Sequence, residues 1–260
     1  CVLLDSVQSQ ANRMEESLQA LWADKRLSLP VIAVDFSKVA ADVGRVTSLT
    51  APHRVADALL RDSLLNGTLF RLSELGRSFT DATPRNAAPL FRVCPTGLVF
   101  GVWDSTGPKG GLGSKFARAL VSEIVGVGAV YGTKTASRID PTGIVTRAAD
   151  ILQAADPNEG WTHDPALAAK DGKGNTLKKG TGKVSEVNHS NVPPTLDALA
   201  GGVTIEHAQH TVVLSLAALR KLSFGAHDTE ARTVLAALGV LAILAAEDRG
   251  RHRLGDRVPR

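Results

Sequence analysis

The sequence predicts an α+β fold with a ferredoxin-like core that is decorated by loops. Three observations favour this class: predicted strands and helices alternate, their spacing is irregular, and long polar segments separate several of them. A regular doubly wound sheet would show more even spacing, and no G-x-G-x-x-G motif follows a strand. The 260 residues can bury a sizeable core in one large domain or in two small ones.

The first third of the chain predicts two helices, a strand and a loop. Apolar residues at roughly helical spacing from Val2 to Trp22 predict an opening helix with a polar opposite face. The β-branched run from Pro30 to Phe36 has the length of a strand. A helix is predicted from Pro52 to about Leu65, since Asn66-Gly67 is a stop signal. Residues 73–89 contain Gly, Ser, Thr and two prolines, which predicts a loop.

The middle of the chain predicts a strand, a turn, a helix, a strand and a helix in succession. Leu98 to Trp103 is apolar and predicts a buried strand, which leads into a Gly-rich turn at Ser105 to Gly113. A helix is predicted from Ser114 to about Val125. A bent strand over 127–139 and a short helix over 145–155 follow.

The last part of the chain contains a polar insertion and two apolar segments. From Asp156 to Pro194, small and polar residues dominate, which predicts a mobile insertion within a single domain that spans residues 1–260. Gly202 to Phe224 is strand-like at its start, and Asp228 to Asp248 predicts an apolar helix. The insertion also carries five lysines, Lys170, Lys173, Lys178, Lys179 and Lys183.

The composition is that of a soluble globular protein, with 43% hydrophobic residues and a net charge of +4. That charge is too weak to separate a nucleic-acid binder from an ordinary enzyme. The two cysteines stand alone, and the apolar run from Val234 to Ala246 is shorter than the roughly 20 residues that span a bilayer. We therefore expect a cytoplasmic protein with no membrane partner, no metal and no cofactor.

The Gly-rich turn, GPKGGLGSK at 107–115, lies where a strand and a helix are predicted to meet. Backbone N–H groups at such a junction favour an anion. The order and spacing of its Gly, Lys and Ser residues differ from those of a nucleotide-binding P-loop. Two interpretations stay open: Ser114 caps a helix, or Lys109, Lys115 and Arg118 hold a phosphate.

Two further segments carry candidate anion-binding residues. Helical spacing places Ser6, Gln10 and Arg13 on one face, with Ser9 and Asn12 beside them, and either phosphate contacts or simple solvation explains such a face. The segment 45–54 contains Arg45, His53 and Arg54. Cations in the first turn of a helix oppose the helix dipole, so an anionic ligand or tolerance at a solvated end accounts for them.

The segment EHAQH at 206–210 contains an H-x-x-H pattern. On the strand predicted there, His207 and His210 point to opposite faces, which disfavours a metal site. No nucleophile elbow or paired carboxylates with catalytic spacing are present in the sequence.

Several blocks together resemble a known family. SVQSQANRMEESL, VTSLTAPHRVADA, LVFGVWDSTGPKGGLGSKFARALVSEIVG, SRIDPTG, EVNHSNVPPT and GGVTIEHAQHTVVLSLAALRKLSF occur in this order. They resemble the backbone subunit, the crRNA-binding or group-seven subunit, of the type I-G (formerly I-U) CRISPR Cascade complex. The resemblance spans nearly the whole chain.

This resemblance implies an RRM-related, ferredoxin-like palm with thumb-like and finger-like insertions. Such subunits are not enzymes: they polymerise along crRNA, hold its phosphates and present its bases to target DNA, while a recruited helicase-nuclease cuts. In the family, a Ser-Gln-Ala-x-x-Arg helix after the first strand contacts RNA. Ser9 to Arg13 is similar but one residue shorter, and the first strand is expected to lie before Cys1.

The sequence therefore predicts a crRNA-binding filament subunit whose partners are crRNA, target DNA, copies of itself, other Cascade subunits and the helicase-nuclease. The predicted RNA-binding residues are Ser9, Gln10, Asn12, Arg13, Arg45, His53, Arg54, Lys109, Lys115, Arg118, Lys134, Ser137 and Arg138. Two alternatives stay open: a phosphate- or nucleotide-binding enzyme that uses the Gly107–Lys115 turn, and a scaffold that binds only proteins.

Overall fold

Helices and short antiparallel strands alternate along the chain, which confirms the α+β class. The structure is a computed structural model that describes residues 1–105, 115–144, 150–198 and 200–255, the last six by their backbone alone. It contains two compact units: Cys1–Val127 with the chain from His207 onward, and Gly128–Glu206. The second unit is an insertion in the sequence of the first, and the single-domain organisation stays a prediction.

The first unit is built on a three-stranded antiparallel sheet. Its strands are β1 (Val2–Asp5), β8 (Leu120–Val127) and β13 (His207–Leu214), with β8 in the centre. Leu3 pairs with Val125 on one side of β8, and Gln209 pairs with Val125 on the other. The outer strands β1 and β13 are therefore parallel to each other.

Helices on the buried side of this sheet form the core of the unit. Met14, Leu18, Phe100 and Leu235 are each at most 2% exposed, and burial of such side chains stabilises the fold by about 1.5–3 kcal/mol each. The helices described in this unit are α1 (Val7–Ala23), α2 (Ala58–Arg61), α3 (Glu74–Thr80), α4 (Ala88–Val93), α5 (Thr96–Phe100), α6 (Leu216–Arg220) and α7 (Asp228–Gly255).

Short elements complete the first unit. Two-residue or three-residue strands pair as three ribbons: β2 (Ala33–Asp35) with β3 (Arg45–Thr47), β4 (Leu64–Leu65) with β5 (Thr68–Leu69), and β6 (Val102–Trp103) with β7 (Lys115–Phe116). Short 3-10 helices occur at Arg54–Ala56, Phe70–Leu72 and Gly225–His227. The strand predicted at residues 30–36 is confirmed in its second half.

The opening segment differs from the predicted continuous helix. Residues Val2–Asp5 form β1, and the helix begins only at Val7, after Ser6, whose side chain accepts a hydrogen bond from the backbone N–H of Ser9. A strand, β1, thus precedes α1 within the sequence, whereas the first strand was expected to lie before Cys1. Val2 and Leu3 continue the helical spacing by coincidence, and pairing with β8 decides their conformation.

The helix predicted from Pro52 to Leu65 is wrong in its extent. Arg54 has φ +54°, a left-handed conformation, and Asp57 is extended with φ −65° and ψ 140°, so the backbone leaves the helical conformation at both positions and only short helices form. Asn66 and Gly67, with φ +53° and +81°, connect β4 to β5 in a tight hairpin. The loop predicted at 73–89 contains α3 and the start of α4, because Ser73 caps α3 and Pro89 lies in the first turn of α4, where proline is tolerated.

Residues 98–127 show the largest departure from prediction. Leu98 to Phe100 belong to α5, and the strand β6 is confined to two residues after Gly101. The helix predicted from Ser114 to Val125 is instead β7 and β8, since β8 pairs on both sides within the sheet. The local pattern did not reveal this pairing, because the partners of β8 lie at least 80 residues away in sequence. The residues 106–114 of the Gly-rich turn lie outside the described part of the chain.

The predicted C-terminal apolar helix is confirmed as α7, and it is longer than its apolar run. The helical stretch Gly225–Arg249, most of which belongs to α7, is long and apolar enough to cross a membrane by length and composition alone, with mean hydropathy 1.6. Ala231, Leu235, Leu238 and Ala242 are buried in the core at helical spacing. The cytoplasmic location stays a prediction.

The second unit contains two antiparallel strand pairs and a chain of isolated bridges. Its strands are β9 (Val130–Tyr131), β10 (Lys134–Arg138), β11 (Val192–Asp197) and β12 (Val203–Thr204), paired as β9 with β12 and β10 with β11. A 3-10 helix occurs at Val184–Val187. The single bent strand predicted at 127–139 is thus observed as two strands, β9 and β10, which pair with different partners.

The segment predicted as a polar insertion packs together with residues 150–155 around a small core. Ile151, Leu152, Ala154 and Ala168 are buried, and backbone bridges such as Leu152 with Thr162 connect its strand-like stretches. Residues 150–155 are therefore extended and not helical, while 145–149 lie outside the described residues. All five lysines of the segment are exposed.

Candidate functional site

A groove of about 680 Å³ opens on the surface of the first unit. It is formed by the start of α1, the turn into the Arg54–Ala56 3-10 helix, the end of α5, and the β6–β7 ribbon with the residues that follow it. Among the described residues that line it, none is Asp or Glu, whereas Arg54, Lys115 and Arg118 are cationic. The groove is therefore suited to an anionic ligand.

The groove brings together residues from three of the predicted segments. Five predicted site residues line it, namely Asn12, His53, Arg54, Lys115 and Arg118. These residues are up to 106 positions apart in sequence (118 minus 12) and share no local motif. Their contact with RNA stays a prediction.

Arg54 lies below the groove, and its guanidinium group is bound by other groups of the protein. It therefore contributes positive charge to the groove but no free side chain. It is only 8% exposed, and its Nε and Nη2 donate to the two carboxylate oxygens of Glu15 at 2.7 and 2.6 Å. Its Nη1 donates to the carbonyl of Gly101 at 2.9 Å. The anion that pairs with Arg54 at this turn is therefore the carboxylate of Glu15 within the protein, which the sequence pattern did not identify.

Glu15 lies beneath the groove on α1. Burial raises the pKa of Glu15 to about 7, and the positive charge of Arg54 and its hydrogen bonds oppose that rise. When the carboxylate is ionised, it neutralises Arg54. The net positive charge that reaches the groove then comes from Lys115 and Arg118.

The end of α5 positions both arginines. Gly101 accepts from Arg54 Nη1, and the preceding carbonyl of Phe100 accepts from Arg118 Nε at 3.1 Å. Two consecutive carbonyls at a helix C-terminus thus hold two guanidinium groups. Burial and the nearby charge of Arg54 lower the pKa of Arg118, while the carboxylate of Glu15 opposes this.

Gly101 is expected to be indispensable for this arrangement. Its backbone angles, φ +82° and ψ 152°, are rarely adopted by residues other than glycine. A Cβ at this position would lie 3.0 Å from Arg118 Cγ and 3.0 Å from the Phe116 carbonyl oxygen. We expect Gly101→Ala to lower the free energy of unfolding by about 1–3 kcal/mol in urea denaturation. Gly97→Ala is the control in the same helix, since its Cβ would make only ordinary contacts with Val102 and should leave stability equal or higher. Equal effects of the two changes would contradict the prediction.

Trp103 lines the groove, although no sequence pattern predicted it as a site residue. Strand alternation on β6 turns Val102 into the core at 6% exposure and leaves Trp103 in the groove at 55%. The Nζ of Lys115 lies 5.1 Å from the centre of its ring, within cation–π range. The available signal was a tryptophan at the polar edge of an apolar run. Gln8, Pro52 and Ser105 also line the groove without having been predicted.

The other predicted residues of α1 make contacts within the protein. Gln10 is 7% exposed, and its amide donates to Asp5 at 2.6 Å and accepts from Ser122 at 3.0 Å. Arg13 donates to the same Asp5 carboxylate at 2.8 Å but stays 59% exposed in its side chain. Burial raises the pKa of Asp5, but hydrogen bonds from Ser9 and Gln10 and the charge of Arg13 outweigh it and lower the pKa overall. These contacts tie α1 to the sheet.

The remaining predicted residues do not line the groove. Arg45 lies over the ring of Trp22, 5.6 Å from its centre. Lys134, Ser137 and Arg138 lie on the exposed strand β10 of the second unit, where Arg138 donates to the side-chain oxygen of Asn188 at 2.8 Å. Lys109 lies outside the described residues.

The H-x-x-H segment lies on β13, which confirms the predicted strand. His210 Nε2 is 2.7 Å from the hydroxyl oxygen of Ser122, and His207 is exposed. Within the described residues, no group of three or more His, Cys, Asp or Glu side chains is arranged to hold a metal ion.

Comparison with known protein families gives one match. The family model described as CRISPR-associated protein GSU0053 matches residues 1–130, which is half of the chain. The chain belongs to this family. A search of curated proteins found no match.

The family match contains the whole lining of the groove, since every lining residue lies before position 130. Membership of this family fits a CRISPR-associated function. Chemically, the groove offers fixed positive charge, hydrogen-bond donors and one exposed indole ring. Such a set binds phosphate and aromatic groups.

Proposed function

We propose that this CRISPR-associated protein is a non-catalytic backbone subunit of a type I-G surveillance complex. It polymerises along crRNA, holds the phosphate backbone in the groove described above and presents the bases to target DNA. Its partners are crRNA, further copies of itself, other Cascade subunits and the recruited helicase-nuclease, in the cytoplasm. The observation that carries the proposal is the cationic groove without acidic lining residues, among those described, inside the matched family segment.

The chemistry of the groove supports backbone recognition. Lysine and arginine contact phosphates without reading sequence, so base pairing between guide and target can supply the specificity. Arg118 is held through Nε alone among its described hydrogen bonds, which leaves its Nη groups for a ligand. Lys115 is exposed at the ribbon edge.

The order of elements supports a ferredoxin-like palm. Among the strands of the sheet and the two long helices, the order is β1, α1, β8, β13 and α7, as in the first five elements of a βαββαβ unit, although β8 pairs directly with β1 where a split βαβ unit has another strand between them. The described sheet of this unit has three strands. In this assignment, the second unit between β8 and β13 is the thumb-like insertion.

The proposal is tested by RNA binding as a function of salt. Single-stranded RNA should be retained in filter-binding titrations, with affinity that falls steeply as salt rises because phosphate contacts release counterions. The double variant Lys115→Ala, Arg118→Ala should bind more weakly, and its salt slope should be smaller by about 1.4, or roughly 0.7 per lost phosphate contact. Absence of a salt slope in the unaltered protein would refute the proposal.

The matched control is Arg220→Ala with Lys221→Ala, two exposed cations of the first unit that do not line the groove. It removes the same charge and should leave the slope nearly unchanged. Nucleotide turnover that Lys115→Ala abolishes would favour a phosphate-binding enzyme instead. If the purified protein has the 260/280 nm absorbance ratio of a sample without nucleic acid, and if it retains no RNA, a scaffold that binds only proteins would be favoured.

A further inference from the structure

The exposed indole of Trp103 has no role in the core of the protein. Its neighbour Val102 faces inward, and Trp103 keeps 55% of its surface exposed even with Lys115 over the ring. Large aromatic rings are normally buried because their transfer from water is favourable. An indole held open on a two-stranded ribbon is therefore a candidate contact surface.

The groove around Trp103 offers charge at a short distance from the ring. Trp103 and Lys115 are cross-strand partners on β6 and β7, so the ring and the ammonium group move with one ribbon. Arg118 follows three residues after Lys115 and is anchored to the carbonyl of Phe100. An aromatic face beside positive charge is the arrangement that binds unpaired nucleotides, with the base on the ring and the phosphate on the cations.

The dimensions of the groove suit a single nucleotide. About 680 Å³ lies within the range of roughly 300–1,000 Å³ typical of small-ligand sites, which accommodates a nucleotide. The polar side chains of Gln8 and Asn12 line the same groove and can donate to or accept from a base edge or a sugar.

We propose that Trp103 stacks on the base of one unpaired nucleotide of the bound RNA, while Lys115 and Arg118 hold the adjacent phosphate. This inference rests on the proposed function, because it assigns a nucleotide base to the same groove. Stacking on one indole is tolerant of sequence, since every base presents a π-face. The contact therefore fixes the position of the chain along RNA without selecting a sequence.

The test compares RNA with an oligomer of the same length made only of abasic ribose phosphates. Trp103→Leu should weaken binding of ordinary RNA about 5- to 150-fold, which corresponds to the stacking of one base, and Trp103→Phe should retain most of the affinity. For the abasic oligomer, the unaltered protein and Trp103→Leu should bind equally, because no base is present to stack. Equal binding of ordinary RNA by Trp103→Leu and the unaltered protein would overturn the inference, as would an equal loss on both oligomers.

Fluorescence supplies a second measurement, in which Trp103 itself is not replaced. The chain has three tryptophans, so Trp22→Phe with Trp161→Phe leaves Trp103 as the single indole emitter. Ordinary RNA should quench this emission and the abasic oligomer should not. If neither oligomer quenches the emission although RNA is retained, the stacking inference is overturned and the proposed function is not. Failure of the unaltered protein to retain any RNA overturns the proposed function itself.

Discussion

Glu15→Ala is expected to lower the free energy of unfolding by about 3–5 kcal/mol. The change leaves Arg54 buried at 8% exposure with its carboxylate partner gone, so the full cost of a desolvated charge falls on the folded state. Urea denaturation at pH 8 measures the effect. This pH matters because burial raises the pKa of Glu15 to about 7, and the ion pair requires an ionised carboxylate.

The neighbouring Glu16→Ala is the control, because Glu16 is exposed on the same helix and its replacement should change stability by less than about 0.5 kcal/mol. The double change Glu15→Leu with Arg54→Met should restore much of the lost stability, since apolar side chains can replace a buried ion pair. A double variant no more stable than Glu15→Ala would mean that lost packing, and not the unpaired guanidinium, causes the effect.

Leu235→Ala is expected to lower the free energy of unfolding by about 2–5 kcal/mol. Leu235 is fully buried at 0% exposure on α7, in the core that also contains Leu18 of α1, so truncation leaves a cavity that neighbouring helices fill only in part. Chemical denaturation of the purified chain measures the loss.

The adjacent Val234 is 52% exposed and provides the control. Val234→Ala should change stability by less than about 0.5 kcal/mol, because it removes few contacts and alanine favours a helix. The comparison also separates two roles of α7. A core helix makes the two changes differ strongly, whereas a helix surrounded by lipid would make them alike, which would contradict the packing described here.

The sequence predicted a helix or a strand best where the residues of that segment determine its conformation without partners from elsewhere in the chain. The main body of α1 and α7 as far as Asp248 follow from apolar periodicity, and β13 follows from its strand-like composition. It predicted β8 wrongly as helix, because LVSEIVGV carries no alternation that separates a central strand from a buried helix. The two partner strands that decide the matter come from positions 2–5 and 207–214.

For the candidate site, too, the local sequence indicated some residues, and partners distant in sequence decided the rest. Cationic segments of the sequence supplied His53, Arg54, Lys115 and Arg118 as members of a groove that the structure then assembled. No local pattern indicated that Arg54 would turn inward to Glu15, since that contact spans 39 positions. Trp103 was missed because its run was interpreted as a buried strand, whereas only its last two residues are extended.

By itself, the sequence determined the α+β class, the main helices and, through its ordered blocks, the resemblance to a CRISPR-associated family. These properties depend on local periodicity and on residue identity, which are both readable along the chain. The tertiary structure alone decided which cations are neutralised internally and which face the groove. Charge at a surface depends on partners brought close by folding, and here a carboxylate on α1 takes Arg54 while Lys115 and Arg118 remain at the groove.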